Sequence, residues 1–127
     1  MMKHRMKISE ILSVAERYDF IFAFCTFLDE FYAANSEEKN FLLADEPERG
    51  ALTKAQHCTL ACAAHKLAND YGLAIPEWVA KKIYVMPNPI YAFDTEDEEY
   101  QDFLRATSPE EYSSRNIFYG NNVLRRV

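Results

Sequence analysis

Glycine is scarce in this chain, occurring only as Gly50, Gly72 and Gly120 among 127 residues. A glycine-rich phosphate cradle needs several glycines close together, so that class of nucleotide site is excluded. Cysteine is sparse too, and three is an odd number, which argues against a disulfide framework. Cys25, Cys58 and Cys62 sit inside apolar helical segments, as reduced thiols of a cytoplasm-like compartment do. Long apolar runs are missing. The longest, residues 20–28 interrupted by Thr26, falls well short of the roughly 20 residues that span a bilayer. The basic start Met1-Met2-Lys3-His4-Arg5 is not followed by the apolar core of a secretion signal. A soluble cytoplasmic protein is expected. Catalytic signatures are also lacking: the chain has no nucleophile elbow and no H-E-x-x-H helix. No catalytic residue and no cofactor is expected, and the chain reads as a non-enzyme.

What is present fits one packed unit, taken here as residues 1–127. Apolar residues make up 49% and aromatics 14%, too much for a disordered chain of this length. The net charge of −6 disfavours nonspecific contact with nucleic acid. Acids gather in two runs: residues 29–48 carry seven against Lys39, and 94–111 carry eight against Arg105. The remainder of the chain, from Tyr112 on, carries Arg115, Arg125 and Arg126 with no acid. Such runs are usually solvated faces, but a basic tail on an acidic body also fits a protein partner or an intramolecular clasp.

Helical periodicity dominates. Ile8, Ile11, Leu12 and Ala15 predict a first helix over residues 7–17. Phe20, Phe24, Phe27 and Phe31 make the stripe of a second, either capped separately by Asp19 or continuous with the first. A short helix over 36–43 and a loop over 45–50 follow. Thr53 and Gln56 form a capping box for a long helix that ends at Gly72. Its small residues, Ala55 to Ala68, invite close approach by another helix, the phenylalanine stripe being the natural partner. Pro76 suits the first turn of a short helix with Trp78 and Val79 inside. Residues 82–86 are β-prone, and Pro87-Asn88-Pro89 blocks regular structure directly after them. Two further capping boxes, Thr95 with Glu98 and Ser108 with Glu111, predict two more helices, with Pro109 at the first position of the latter. The fold class is all-α or nearly so: a compact bundle of five to seven helices with an irregular proline-containing segment near 83–93.

Three groups of residues bear on function. Cys58, Cys62 and His65 share one helix face and, with Cys25, supply four potential zinc ligands. They lack the tight pairs of a recognisable zinc site, and small cysteines against bulky aromatics are ordinary packing. Asp94, Glu96, Asp97, Glu98, Glu99 and Asp102 resemble a cation cluster only superficially, since acids in a helix's first turn complement its dipole. Trp78, Tyr112, Arg115, Asn116, Phe118 and Arg125 combine types enriched at protein interfaces. The tail set also suits stacking on single-stranded nucleic acid, or folding back on the acidic body.

The signature His65-Lys66-Leu67-Ala68, Tyr71-Gly72-Leu73, Pro76-Glu77-Trp78-Val79, Ser108-Pro109-Glu110-Glu111-Tyr112 and Arg115-Asn116-Ile117-Phe118 resembles a family of short, largely uncharacterised bacterial proteins. A similar stretch follows a helix-turn-helix domain in some bacterial regulators. The family's genes often lie beside a nucleotidyltransferase-like protein, in a toxin–antitoxin-like arrangement. The resemblance implies a protein-binding role, antitoxin-like or accessory, with a nucleotidyltransferase-like partner. No helix-turn-helix pattern precedes the block, so direct DNA reading does not carry over. A regulatory or nucleic-acid-associated helical module and a metal-dependent helical protein are the alternatives.

Overall fold

The computed structural model describes residues 4–126, and the basic start at Met1-Met2-Lys3 lies outside the described residues. Within them the chain is mostly helical, with six α-helices, short 3-10 turns and one pair of two-residue strands. The nearly all-α class is as the periodicity predicts.

The first segment opens as a 3-10 turn, Ile8–Glu10, and continues as α1, Ile11–Arg17. Ile8 and Ile11 are fully enclosed. At Tyr18 the backbone leaves the helical region, with φ −125° and ψ −96°. Asp19 then starts α2, Phe20–Ala33, its carboxylate accepting from the Phe22 N–H at 2.6 Å. The two segments are therefore separate helices. The new cap satisfies amides at the break, and the break lets α1 fold against α2. Ala23, Phe24, Phe27, Leu28 and Phe31 form the buried side of α2. Asn35 caps α3, Ser36–Ala44, by accepting from the Glu38 N–H at 2.9 Å.

The capping box at Thr53 and Gln56 forms as predicted and starts α4, Lys54–Tyr71. Gly72 ends it with φ 64°, the left-handed conformation that a residue without Cβ takes at no steric cost. The small face of α4 is enclosed from Cys58 to Ala64. Its close partners are the short turns and helix of the later chain, together with α3; the phenylalanine helix is not among them. Bulky rings keep the α2 backbone at a distance, so α2 and α4 meet through side chains in one common core. Phe31 and Tyr71 make that contact edge-to-face, with ring centroids 5.6 Å apart.

Beyond Gly72 the chain runs through 3-10 turns Glu77–Ala80 and Lys82–Tyr84. Pro76 precedes the first turn with extended backbone and so acts as its cap. The β-prone residues 82–86 form a turn, and the strand comes after the prolines as β1, Ile90–Tyr91. It pairs in parallel with β2, Ile117–Phe118.

Two expected capping boxes are replaced. Asp97 caps α5, Glu98–Thr107, accepting from the Glu99 N–H at 3.1 Å, while Thr95 accepts from Asp97. An aspartate next to the helix satisfies the first-turn amides directly, and this shifts the start past Thr95. Ser108 ends α5, and its hydroxyl accepts from the Gly120 N–H at 2.9 Å. Pro109, with ψ 149°, caps the one-turn helix α6, Glu110–Ser113.

Candidate functional site

Of the residues expected to meet a partner, three are inside. Trp78 is buried and its indole N–H donates to the Leu43 carbonyl at 3.1 Å. Its ring meets Tyr84 edge-on, and Tyr84 donates to Glu46 at 2.6 Å. Tyr112 is 1% exposed and packs with Cys58, Cys62 and Ile117. Arg115, only 6% exposed, donates to the Glu111 carbonyl at 2.6 Å and the Val79 carbonyl at 2.8 Å. Both of its terminal nitrogens lie 3.3 Å from His65 Nδ1. The expectation that Trp78, Tyr112 and Arg115 present a recognition surface is thus corrected. Trp78 and Arg115 spend their polar atoms on backbone carbonyls within the chain and Tyr112 is enclosed by packing, so all three support the C-terminal third.

Asn116 and Phe118 also serve the fold. Asn116 takes a left-handed backbone, φ 63°, which asparagine tolerates well. Its amide donates to the Met86 carbonyl at 2.8 Å, beside the strand pair. Phe118 is half-buried and stacks on Tyr91 with centroids 5.4 Å apart. Arg125 alone of the six is exposed. The tail around it is docked: the Tyr32 hydroxyl donates to the Leu124 carbonyl at 2.5 Å, and Arg126 pairs with Asp29 at 2.9 Å. Folding back on the acidic body is the arrangement found, and it absorbs most of the charge that a nucleic-acid reading requires.

Cys58, Cys62 and His65 share their helix face, but no described group of three His, Cys, Asp or Glu side chains is placed to hold a metal ion. The chemistry agrees. Burial pushes the Cys62 thiol up to about 12 and raises Cys58 as well, so neither offers a thiolate near neutral pH. Burial and the neighbouring Arg115 guanidinium lower His65, which keeps the imidazole neutral. Its Nδ1 then accepts from Arg115, placing its proton on Nε2. Glu111 completes the cluster by accepting from the Asn69 amide at 2.9 Å. Burial pushes its carboxyl up, but that bond and nearby cations hold it below the ordinary value.

The candidate surface lies elsewhere. Between Tyr91 and Asp97 the chain turns through Phe93 and Asp94, both left-handed, at φ 58° and φ 50°. Phe93 is 91% exposed, and a bulky residue held left-handed is a true outlier. On the adjoining helix α5, Phe103 is 57% exposed and stacks with Tyr100, the ring planes within 13°. Asp94, Glu96, Asp97, Glu98, Glu99 and Asp102 lie in the same stretch of chain and are all exposed. Phe93 and Asp94 also line a cavity of about 550 Å³ bordered by α2, the start of α4 and the tail.

The sequence gives little warning of this surface. The acid run is visible, but no local signal marks Phe93 or Asp94 as left-handed. The one legible hint is excess: Ile21 and Phe22 widen the apolar side of α2 beyond what its packing consumes, and both stay exposed. Among the described residues no helix is long and apolar enough to cross a membrane. Compared with known proteins, the chain matches no family model, no curated protein and no solved structure.

Proposed function

We propose that this chain is a non-enzymatic module that binds another protein through the aromatic and acidic surface formed by Phe93, Asp94 and the outer side of α5. The observation that carries this reading is Phe93, a large ring exposed on strained backbone amid acids. An exposed aromatic contributes nothing to the core, and strain of this kind concentrates at functional positions. Exposed rings in an acid-rich stretch match a basic partner that also offers an apolar recess.

The resemblance to antitoxin-like or accessory proteins gives that partner a class, a nucleotidyltransferase-like protein. An enzyme that handles nucleoside triphosphates needs basic groups in its cleft, and an acidic surface is complementary to them. The cytoplasm is the matching compartment, and the three free thiols support it.

Co-expression with the product of the adjacent gene, followed by affinity capture and titration at two salt concentrations, tests the proposal. Salt-sensitive binding that is weakened at least tenfold by Phe93→Gly or Phe103→Ala is the expected result. Binding that survives both substitutions at full strength overturns the assignment of this surface. A failure to bind at all removes the partner class.

A further inference from the structure

The cavity that Phe93 and Asp94 help to line is a second feature, and no α5 residue borders it. One wall is Phe20, Phe24 and Leu28 of α2, and Tyr91, Tyr119 and Val123 face them. At about 550 Å³ it falls in the size range of small-molecule sites, which run roughly 300–1,000 Å³ and are mainly apolar with a few placed polar groups.

Tyr112 is one of those polar groups. The residue is 1% exposed, lines the cavity, and its hydroxyl takes part in none of the described side-chain hydrogen bonds. Among the described residues no fully enclosed polar side-chain atom lacks a partner. Tyr112 lines the cavity and its hydroxyl keeps its hydrogen-bonding capacity, with no described partner consuming it. A phenol in apolar surroundings gains from any oxygen that reaches it.

Charge supplies the other end. The first turns of α2 and α4 border the cavity through Phe20, Ile21, Ala55 and Gln56, bringing the positive ends of two long helices to it. Asp19 offsets part of this at α2, where it caps the helix. Arg125 stands at the rim, exposed, and its guanidinium makes none of the described hydrogen bonds. Arg126 is already paired with Asp29. Asp94 is the one acid among the lining residues, and Asp19 already answers the α2 end, so the group offered to an anion is Arg125 at the rim.

We infer that this cavity binds a planar hydroxyaromatic carboxylate. Its ring lies among the aromatic walls, its carboxylate meets Arg125 at the rim, and its hydroxyl pairs with the Tyr112 hydroxyl at the floor. Aromatic walls select a flat ring, and a guanidinium selects a carboxylate over a neutral head. The cavity shares Phe93 and Asp94 with the proposed partner surface but none of the α5 residues, and titration of the isolated chain with small molecules reads it separately from partner capture.

Three probes that share one skeleton test it on the full chain: 4-hydroxycinnamate, cinnamate, and 4-hydroxycinnamyl alcohol, each titrated by calorimetry. The hydroxy acid is expected to bind tightest, with each missing group weakening binding by about tenfold. Arg125→Ala should abolish the preference for acid over alcohol. Tyr112→Phe, which keeps the ring and the packing, should abolish the preference for 4-hydroxycinnamate over cinnamate. The inference is overturned if 4-hydroxycinnamate does not bind at millimolar concentration. Equal binding of all three probes, or a head-group preference unchanged in Arg125→Ala, overturns it as well.

Discussion

The Arg115 guanidinium donates to the Val79 carbonyl at 2.8 Å, joining the turn after α6 to one 36 positions earlier. This bond, with those to the Glu111 carbonyl and His65, makes one interior cation the fastening of the C-terminal third. Arg115→Ala should destabilise the protein by about 3 kcal/mol, since it leaves two carbonyls without their donor and opens a void. Arg115→Lys should recover less than half of that loss, because an ammonium cannot span three acceptors in the fork of a guanidinium. Denaturant unfolding of both variants measures this; a wild-type midpoint in Arg115→Ala would contradict it.

His65 makes stability depend on pH. Burial and Arg115 lower its folded-state value below the ordinary 6.5, so the unfolded chain binds a proton more readily than the folded one. Stability from this group is therefore fully present above 6.5 and is lost as pH falls toward the folded value. Arg115 disfavours the imidazolium, whereas Glu110 and Glu111 oppose that effect in part. Melting temperature should fall between about pH 7.5 and pH 5.5, and His65→Gln should flatten that slope. A slope equal in both proteins would assign the effect to other groups.

Phe93 is held left-handed while its ring contacts little, so its conformation costs more than its side chain returns. Phe93→Gly should raise stability by roughly 1 kcal/mol, because glycine adopts φ 58° without strain. A substitution that stabilises the fold while weakening partner binding separates function from folding at one position. Thermal melts alongside the capture experiment read both effects, and a loss of stability would show that the ring supports the fold.

The three thiols should react unequally. Cys58 and Cys62 are buried and raised by that burial, while Cys25 on α2 is partly accessible. A disulfide reagent at neutral pH should titrate one thiol promptly and the other two only on unfolding. Prompt reaction of all three would show that the α4 face opens in the native state.

Sequence reading located the helices well wherever one short-range device sets the boundary. Thr53 with Gln56, Asp19 and Gly72 are such devices, and each acts as its spacing implies. It erred where two neighbouring caps compete: Asp97 displaces Thr95, and Ser108 turns away toward Gly120. The site residues were less legible, for one reason. Tryptophan, tyrosine and arginine anchor interfaces, but the same types fill interiors whenever backbone carbonyls reach their polar ends. The partners of Trp78 and Arg115, Leu43 and Val79, are remote in sequence, so no local pattern distinguishes anchor from support. Left-handed Phe93 likewise lies in the turn that leads from β1 to α5, which no short motif encodes.

The cover over Cys58 and Cys62 is made by Tyr112 and Ile117, residues synthesised long after α4 itself. A chain emerging from the ribosome can pair α1 with α2 early, yet the α4 side that these four residues share stays open until Tyr112 and Ile117 clear the exit. Completion is a late event rather than a stepwise one. A ribosome stalled within α5 would display two reduced cysteines on an uncapped apolar flank, a form on which quality-control factors and alkylating agents act and which the finished protein conceals.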